Sequence, residues 1–251
     1  MNTMPSASRR RSLARTVRGL ASRLYYEGVV RPTLQRTVET RMLGFTLSVP
    51  PTVFHPKFYF TSRILGSYIQ SLDLRGKNAL DVGCGSGILS LAAASVGASI
   101  TAVDINPAAV AATKVNALRN GLAERIHVLE SDLCLGLPAG PGQIDLIITN
   151  PPYYRKDPGT PAERAFHGGA SNEFMVKLAE ASLEVLSSEG SILLVLSSDV
   201  DESRSLEPFT SKAFQQTTLV ETRRFLELLR VIRLDRVATS IESDEQTSSR
   251  S

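Results

Sequence analysis

The sequence predicts an α/β domain with a doubly wound, mostly parallel sheet of seven strands and an antiparallel hairpin at its C-terminal end. Three observations support this prediction. From Phe58 onwards short apolar runs alternate with helical patterns, a glycine-rich turn follows the first run, and two strand-like runs stand close together near the end. Strands that alternate with helices form right-handed crossover units, which build a parallel sheet covered on both faces.

The predicted helices and strands follow one another through residues 60–234. Helical periodicity predicts helices at Phe60–Leu72, Ile88–Val96, Pro107–Leu118 and Glu173–Leu186. Apolar runs predict strands at Asn78–Val82, Ile100–Val103, Ile126–Leu129, Ile144–Thr149, Ser191–Leu196, Thr217–Arg224 and Leu229–Leu234. Asn106 marks a helix start, because asparagine is a favoured N-cap and Pro107 fits the first helical position. The short connection between the last two strands predicts an antiparallel hairpin at the sheet edge.

A basic arm is predicted to precede the domain. Residues 1–52 form this arm, residues 53–238 form the domain, and residues 239–251 form a polar, serine-rich tail that is expected to be disordered. Residues 1–41 hold nine arginines against two acidic residues, so the pI of about 9.0 reflects the arm and the rest of the chain carries a net negative charge. Apolar residues at helical spacing with arginines between them predict a basic amphipathic helix in the arm, at Leu13, Val17, Leu20 and Leu24.

Three roles fit the helix of the arm. Its leucines could pack on the domain while its arginines face water. Its charge suits contact with RNA, a ribosome or an anionic membrane surface. Its Arg- and Ser-rich composition, without an acidic residue before Glu27, is also typical of organelle-targeting peptides. Apart from that third role, the protein is expected in the cytoplasm.

The composition argues against several classes of protein. Two cysteines are too few for a disulfide framework, and the three histidines form no cluster at metal-ligand spacing, so no metal is expected. No apolar run reaches the roughly 18 residues that span a bilayer, and the N-terminus lacks the apolar stretch of a signal peptide. These features predict a protein without a transmembrane segment, in a reducing compartment.

A glycine-rich turn lies between the first predicted strand and its helix, in Asp81-Val82-Gly83-Cys84-Gly85-Ser86-Gly87. At this point of an α/β sheet a ligand meets the carboxyl ends of the strands and the N-terminus of a helix. The glycines allow the backbone to turn sharply and to approach that ligand closely. Dinucleotide-binding loops place the third glycine three residues after the second, whereas Gly87 follows Gly85 by two, which disfavours a nicotinamide cofactor.

Two carboxylates follow the next two predicted strands. Asp104 ends the second strand, 21 residues after Gly83, where it can accept hydrogen bonds from both hydroxyls of a ribose. Asp132 follows the third strand and is placed to accept from an adenine amino group. Because the carboxyl ends of parallel strands meet at one edge of the sheet, these three strand ends together predict a nucleoside site.

The tetrapeptide Asn150-Pro151-Pro152-Tyr153 follows the fourth predicted strand. Its two prolines fix two backbone dihedrals, so its carbonyl groups point in defined directions. The side-chain oxygen of Asn150 and the carbonyl of Pro151 can then accept both hydrogens of a planar NH2 group, while Tyr153 offers a ring for stacking. A nitrogen held in this way turns its lone pair toward an electrophile.

On these four features the chain resembles the class I S-adenosylmethionine-dependent methyltransferases of the small-domain group, which have a Rossmann-like fold. Within that group it is similar to the release-factor glutamine methyltransferases and the adenine amino methyltransferases. The resemblance covers about residues 53–237 and implies S-adenosylmethionine as the cofactor. The implied cofactor contacts are Gly83, Gly85 and Gly87 at the methionine part, Asp81 near its amino group, Asp104 at the ribose and Asp132 at the adenine. The residues implied at the acceptor are Asn150, Pro151, Pro152 and Tyr153.

Two further segments belong to the resemblance. Phe54, Pro56 and Thr61 resemble the segment before the first strand, which covers the cofactor in these enzymes, and residues 166–172 look like a glycine-containing loop of the glutamine enzymes. The chain also departs from the family. Residues 57–60 replace the acidic residues of release-factor enzymes, and the arm does not look like their helical substrate-binding domain.

The sequence therefore predicts methyl transfer to a planar NH2 group. The acceptor would be a glutamine of a protein such as a translation factor, or a base of RNA or DNA. Three alternatives stay open: methylation of a small molecule, a nicotinamide-dependent oxidoreductase, and a non-catalytic RNA-binding module. His167 could accept the released proton, although a lone histidine in a loop is more often structural or solvated.

Overall fold

The computed structural model describes residues 35–56, 60–135, 137, 140, 142–152, 172–212, 214–224 and 227–237. The predicted helix of the arm, Tyr153, His167 and the serine-rich tail lie outside these residues, so the predictions made for them stay predictions. Within the described ranges no helix combines the length and the apolar character that crossing a membrane requires.

Five α-helices, nine strands and a short 3-10 helix at Ala123–Arg125 make up the regular secondary structure of the described residues. The helices are α1 (Phe60–Gln70), α2 (Ile88–Ser95), α3 (Pro107–Arg119), α4 (Glu173–Val185) and α5 (Glu202–Thr210). The strands are β1 (Val38–Met42), β2 (Phe45–Val49), β3 (Asn78–Val82), β4 (Ser99–Asp104), β5 (Ile126–Glu130), β6 (Ile144–Thr149), β7 (Leu186–Ser197), β8 (Phe214–Arg224) and β9 (Glu227–Arg236). Every helix and strand predicted within residues 60–234 is present, whereas β1, β2 and α5 were not predicted.

Seven strands form the central sheet in the order β5-β4-β3-β6-β7-β9-β8. The first five of these are parallel, and β9 runs antiparallel to both β7 and β8. This arrangement confirms the predicted fold class, including the C-terminal hairpin. One core lies between the sheet and α1, α2 and α3, and a second lies on the face covered by α4 and α5.

The direction of winding reverses between β3 and β6. From β3 the chain proceeds through β4 to the edge strand β5, and from β6 it proceeds in the other direction to β7. Open α/β sheets bind ligands at such a reversal, outside the carboxyl ends of the strands. Val82 and Thr149 are register partners, so the glycine-rich turn and the tetrapeptide begin side by side at this reversal.

The hairpin of β1 and β2 packs on the domain. The sequence analysis counts residues 38–49 with the arm, but the structure buries Leu47 and Val49 in the first core. The hairpin is difficult to predict from the sequence because each of its strands has only five residues and the first follows an arginine-rich segment. The folded unit therefore begins before residue 53.

Helix α5 is the second element that the sequence analysis lacks. Its segment is polar and contains Pro208, which is unfavourable in a helix interior. Asp201 caps the helix by accepting from the backbone N–H of Arg204 at 3.2 Å, and Leu206 and Phe209 bury its apolar side in the second core. A cap and two buried side chains outweigh the low intrinsic helix propensity.

Candidate active site

A cavity of about 430 Å³ lies at the carboxyl ends of the central strands. That volume falls within the range of small-molecule sites. Its walls come from the turn after β3, from the residues after β4, β5 and β6, from Thr52–Phe54, and from the first turns of α4. The cavity therefore brings together the ends of β3, β4, β5 and β6, which the sequence predicts to lie at one site.

The three glycines of the turn have different surroundings. Gly83 and Gly85 line the cavity with φ of +74° and +55°, and no side-chain atom lies within 4 Å of the position of an added Cβ at either residue. Gly87 has φ of +78°, but an added Cβ there would lie 2.8 Å from Cγ2 of Thr113. Gly83 and Gly85 thus leave room for a ligand, whereas Gly87, expected at the ligand, permits the close packing of α2 against α3.

Asp104 connects the glycine-rich turn to the start of α3. Its Oδ2 accepts from the backbone N–H of Gly85 and its Oδ1 from that of Asn106, both at 2.9 Å. Burial raises the pKa of this carboxyl, and the backbone hydrogen bonds counteract part of that rise. Asp104 and Asp132 both line the cavity, as the sequence predicts for a nucleoside site.

Asp81, which was expected near the amino group of the cofactor, is fully buried at the end of β3 and is not among the residues that line the cavity. Its Oδ2 accepts from Oγ of Ser90 at 2.5 Å, and its Oδ1 has no hydrogen-bond partner within the described part of the chain. Burial raises the pKa of Asp81 to about 7, and the nearby Asp104 adds a smaller upward contribution. A buried carboxylate oxygen without a partner is costly unless a cation or a donor satisfies it.

The amide of Asn150 is anchored by helix α1. Its Nδ2 donates to Oγ1 of Thr61 at 3.1 Å and to Oγ of Ser62 at 2.9 Å. Thr61 was expected at the cofactor, but its hydroxyl holds Asn150, and its neighbour Ser62 lines the cavity instead. Asn150 and Pro152 line the cavity as well, and Pro151 is buried beside them.

Two residues of the cavity wall have a strained backbone. Thr52 has φ of +69° and Leu133 has φ of +55°, and both line the cavity. Neither residue type favours the left-handed region, where such strain costs on the order of 1 kcal/mol or more. Strain of this kind is typical of functional sites, because the surrounding structure holds the backbone in place for a purpose other than stability.

Several site residues were missed by the sequence analysis. Ser62 and Ser90 act through hydroxyl groups of helices, which show no distinctive sequence signal. Phe174 and Lys177 line the cavity from the first two turns of α4. Their place at the start of the next predicted helix after the tetrapeptide is a signal that could have found them.

Comparison with known proteins identifies a family and several relatives. The family model described as "Methyltransferase small domain" matches residues 44–229. Ribosomal protein L11 methyltransferase of Aliivibrio salmonicida is 42% identical over 78 residues, which are 31% of this chain and 26% of that protein. The protein of the same name from Vibrio cholerae is 39% identical over 103 residues, which are 40% of this chain and 33% of the relative. The matches thus span only about a quarter to a third of these curated relatives.

Solved structures share the fold at low sequence identity. The 16S rRNA N2 G1207 methyltransferase of T. thermophilus, solved with AdoMet and guanosine, has a TM-score of 0.59 and 24% identity over 80% of this chain and 50% of that one. The E. cuniculi Mtq2-Trm112 complex, described as methylating the termination factor eRF1, has a TM-score of 0.55 and 16% identity over 74% of this chain and 99% of that one. These likenesses support the fold.

Proposed function

The chain belongs to the methyltransferase small domain family, and from this premise we propose that it transfers a methyl group from S-adenosylmethionine to a planar NH2 group. The acceptor is a glutamine amide of a protein or an amino group of a nucleic-acid base. The observation that carries the proposal is the anchored amide of Asn150 at the cavity wall, held by two hydroxyls of α1.

The residues of the cavity fit S-adenosylmethionine. This molecule carries an ammonium and a sulfonium. The fully buried Asp81 is not among the residues that line the cavity, but it adjoins the lining residue Val82 and has an oxygen without a partner in the described residues that a cation would satisfy. No side-chain atom lies within 4 Å of a Cβ added at Gly83 or Gly85, which leaves room for the amino-acid part of the cofactor. Asp104 is assigned to the ribose hydroxyls and Asp132 to the adenine amino group, since both line the cavity.

The acceptor is oriented by the tetrapeptide. When bound, S-adenosylmethionine would supply an electrophilic methyl group: the N–C bond forms as the C–S bond breaks, S-adenosylhomocysteine leaves, and the methylated nitrogen loses one proton to water. Asn150 Oδ1 and the Pro151 carbonyl accept the two hydrogens of the acceptor nitrogen, so its lone pair faces the cavity. These hydrogen bonds strengthen as positive charge develops on that nitrogen, which stabilises the transition state. Positioning supplies most of the remaining rate, because a neutral amide or aromatic amine is a weak nucleophile until it is aligned.

Both acceptor classes are represented among the structural relatives. One relative is named as an rRNA methyltransferase, and another as a methyltransferase of a termination factor. The proposed partner is accordingly a translation factor or an RNA. The basic arm is proposed to add a contact to nucleic acid or a ribosome.

The proposal is tested by labelling a cell extract with methyl-tritiated S-adenosylmethionine. The wild-type protein is compared with Asn150→Ala and with Asn78→Ala. Asn78 is a matched control because it lies at the amino end of β3, at the end of the strands away from the cavity. We expect label with wild type and Asn78→Ala but not with Asn150→Ala. Loss of the label after protease or after nuclease then identifies the acceptor class.

Titration calorimetry provides an independent test of the cofactor. We expect S-adenosylhomocysteine to bind and a nicotinamide dinucleotide not to bind. Binding of the dinucleotide alone, or equal labelling by wild type and Asn150→Ala, would contradict the proposal.

A further inference from the structure

Helix α3 carries a polar stripe on the face that it turns toward the protein. Thr113, Asn116 and Asn120 are spaced at i, i+3 and i+7 and therefore share this face. Thr113 and Asn116 are fully buried, and Asn120 is half-buried. A helix face at a core normally carries apolar residues, so these three side chains need hydrogen-bond partners.

The two asparagines pair with the free edge of β2. Asn116 Oδ1 accepts from the N–H of Ser48 at 2.8 Å, and its Nδ2 donates to the Ser48 carbonyl at 3.0 Å. Asn120 repeats the pattern with Thr46, at 3.0 Å and 2.9 Å. Four helical residues rise about 6 Å and two strand residues about 7 Å, so the spacings match. The amides of α3 thus extend the hairpin as a strand would.

Asn116 also holds the glycine-rich turn. Its Nδ2 donates to the Ser86 carbonyl at 2.9 Å, and Oγ1 of Thr113 donates to the Gly85 carbonyl at 3.1 Å. Asn120 instead donates to the carbonyl of Asn116 within the helix, at 2.8 Å. One side chain of the pair therefore reaches the turn that lines the cavity, and the other does not.

The strand held by Asn116 leads directly into the opposite wall of the cavity. Thr52–Phe54 follow β2 after two prolines and line the cavity. The Thr52 carbonyl accepts from Nδ2 of Asn106 at 3.0 Å, which attaches this wall to the start of α3. Helix α3 and its N-cap thus contact both the glycine-rich turn and the segment Thr52–Phe54, two parts of the cavity wall.

We infer that Asn116 is a positioning residue of the cofactor site, which sets cofactor affinity by tying hairpin β1–β2 to the glycine-rich turn. This inference rests on the proposed function, since it assumes that the cavity binds S-adenosylmethionine. It makes the hairpin a part of the binding apparatus, although no residue of β1 or β2 lines the cavity among those that the structure describes.

The matched pair Asn116→Ala and Asn120→Ala tests the inference. Each variant loses two equivalent hydrogen bonds to the hairpin, with Ser48 in Asn116→Ala and with Thr46 in Asn120→Ala. Only Asn116→Ala loses the bond to the turn. We expect Asn116→Ala to bind S-adenosylhomocysteine about tenfold more weakly, equivalent to about 1.4 kcal/mol, and Asn120→Ala to bind within twofold of wild type. The KM for S-adenosylmethionine should rise in Asn116→Ala with kcat within twofold.

Hydrogen exchange separates positioning from general loss of structure. Exchange in residues 81–90 should accelerate in Asn116→Ala but not in Asn120→Ala, while residues 44–49 accelerate in both. Thr113→Val releases the turn without touching the hairpin and should weaken binding about threefold, so it keeps the inference testable if Asn116→Ala does not fold.

Two outcomes would overturn the inference. The first is an unchanged affinity of Asn116→Ala for S-adenosylhomocysteine. The second is an equal loss of that affinity in both alanine variants, in proportion to the decrease in their melting temperatures. If Asn116→Ala does not fold, an unchanged affinity of Thr113→Val overturns the inference in its place. A wild-type protein that binds no S-adenosylhomocysteine would instead refute the proposed function itself.

Discussion

The hydrogen bonds of Asn150 fix the plane of its amide before an acceptor arrives. Thr61 and Ser62 provide the two oxygens to which Nδ2 donates, and both belong to the first turn of α1. The group proposed to orient the acceptor is therefore held by a helix. Rigid support of this kind is what preorganised catalysis requires.

Replacing Asn150 with alanine should lower turnover by about a hundredfold or more, because one preorganised hydrogen bond of the transition state is lost. Cofactor affinity should stay nearly unchanged. Asn150→Asp should retain partial activity, since the hydroxyls of Thr61 and Ser62 can rotate to donate to a carboxylate. Single-turnover rates and calorimetry measure the two effects. Wild-type rates in both variants would mean that the acceptor is not a planar amine.

Asp81 makes the stability of the ligand-free protein depend on pH. Burial raises its pKa to about 7 in the folded protein, compared with 3.8 for a solvated carboxyl. Between these values the folded state keeps a proton that the unfolded state has released, so stability falls as pH rises through this window. The slope is at most about 1.4 kcal/mol per pH unit for one group.

Urea unfolding at pH 5, 6, 7 and 8 checks this dependence. We expect Asp81→Asn to flatten the decrease, because the substituted side chain stays neutral in both states. The raised pKa of Asp104 acts in the same direction, so the difference between wild type and Asp81→Asn isolates the first group. Parallel curves for the two proteins would exclude Asp81 as the cause.

At the scale of elements, the turn after β3 is held from two sides. Asp104 contacts it from the end of β4, and Thr113 and Asn116 contact it from α3. The turn has no regular secondary structure of its own between β3 and α2. Its conformation therefore depends on neighbouring elements, and substitutions in those elements should affect ligand binding.

Asp104→Ala should weaken cofactor binding by removing an acceptor for the ribose and the link between the turn and α3. Each lost charge-assisted hydrogen bond is worth on the order of 1.5 to 3 kcal/mol. Titration calorimetry with S-adenosylhomocysteine measures this effect, and Asp73→Ala, an exposed carboxylate outside the cavity, is the matched control. An unchanged dissociation constant in Asp104→Ala would remove this residue from the site.

Two glycines of the same turn should respond differently to alanine. Gly87→Ala places a methyl group 2.8 Å from Thr113 in addition to the strain of a positive φ, so we expect a loss of about 2 kcal/mol or more in unfolding free energy. Gly83→Ala incurs only the strain and projects a methyl group into open space. Its larger effect should be on cofactor affinity. Equal stability losses in both variants would contradict this distinction.

In the molecule as a whole, the arginine-rich residues 1–34 precede a hairpin that belongs to the domain. Glu39 of β1 forms an ion pair with Arg119 of α3 at 2.7 Å, and all five residues of β1 pair with β2. Residues 38–49 therefore belong to the folded unit, which begins before residue 53. This boundary matters for any truncation that tests the arm.

Removal of residues 1–34 should leave the melting temperature and cofactor affinity close to wild type. Removal of residues 1–41 deletes most of β1 and should lower the melting temperature by several degrees. If the arm binds RNA, the shorter truncation should also flatten the salt dependence of binding to a nucleic-acid acceptor. Insolubility after removal of residues 1–34 would favour packing of the arm on the domain.

From the sequence alone the order of the strands and helices of residues 60–196 and the position of each motif along them could be predicted. Periodicity, caps and glycine turns are local signals, and so β3, β6 and the Asn106 cap were predicted at their observed places. The same signals placed the glycine-rich turn, Asp104, Asp132 and Asn150 at strand ends, because each follows an apolar run directly. Parallel strands then bring these ends to one edge.

Contacts between residues that are far apart in the chain could be read from the three-dimensional structure alone. Thr61 holds Asn150, 89 residues away, and Asn116 holds Ser48, 68 residues away. Gly87 serves packing because Thr113 of another helix stands against it. The physical reason is that a side-chain hydrogen bond or a van der Waals contact depends on distances of a few ångströms between elements, and no local pattern encodes those distances.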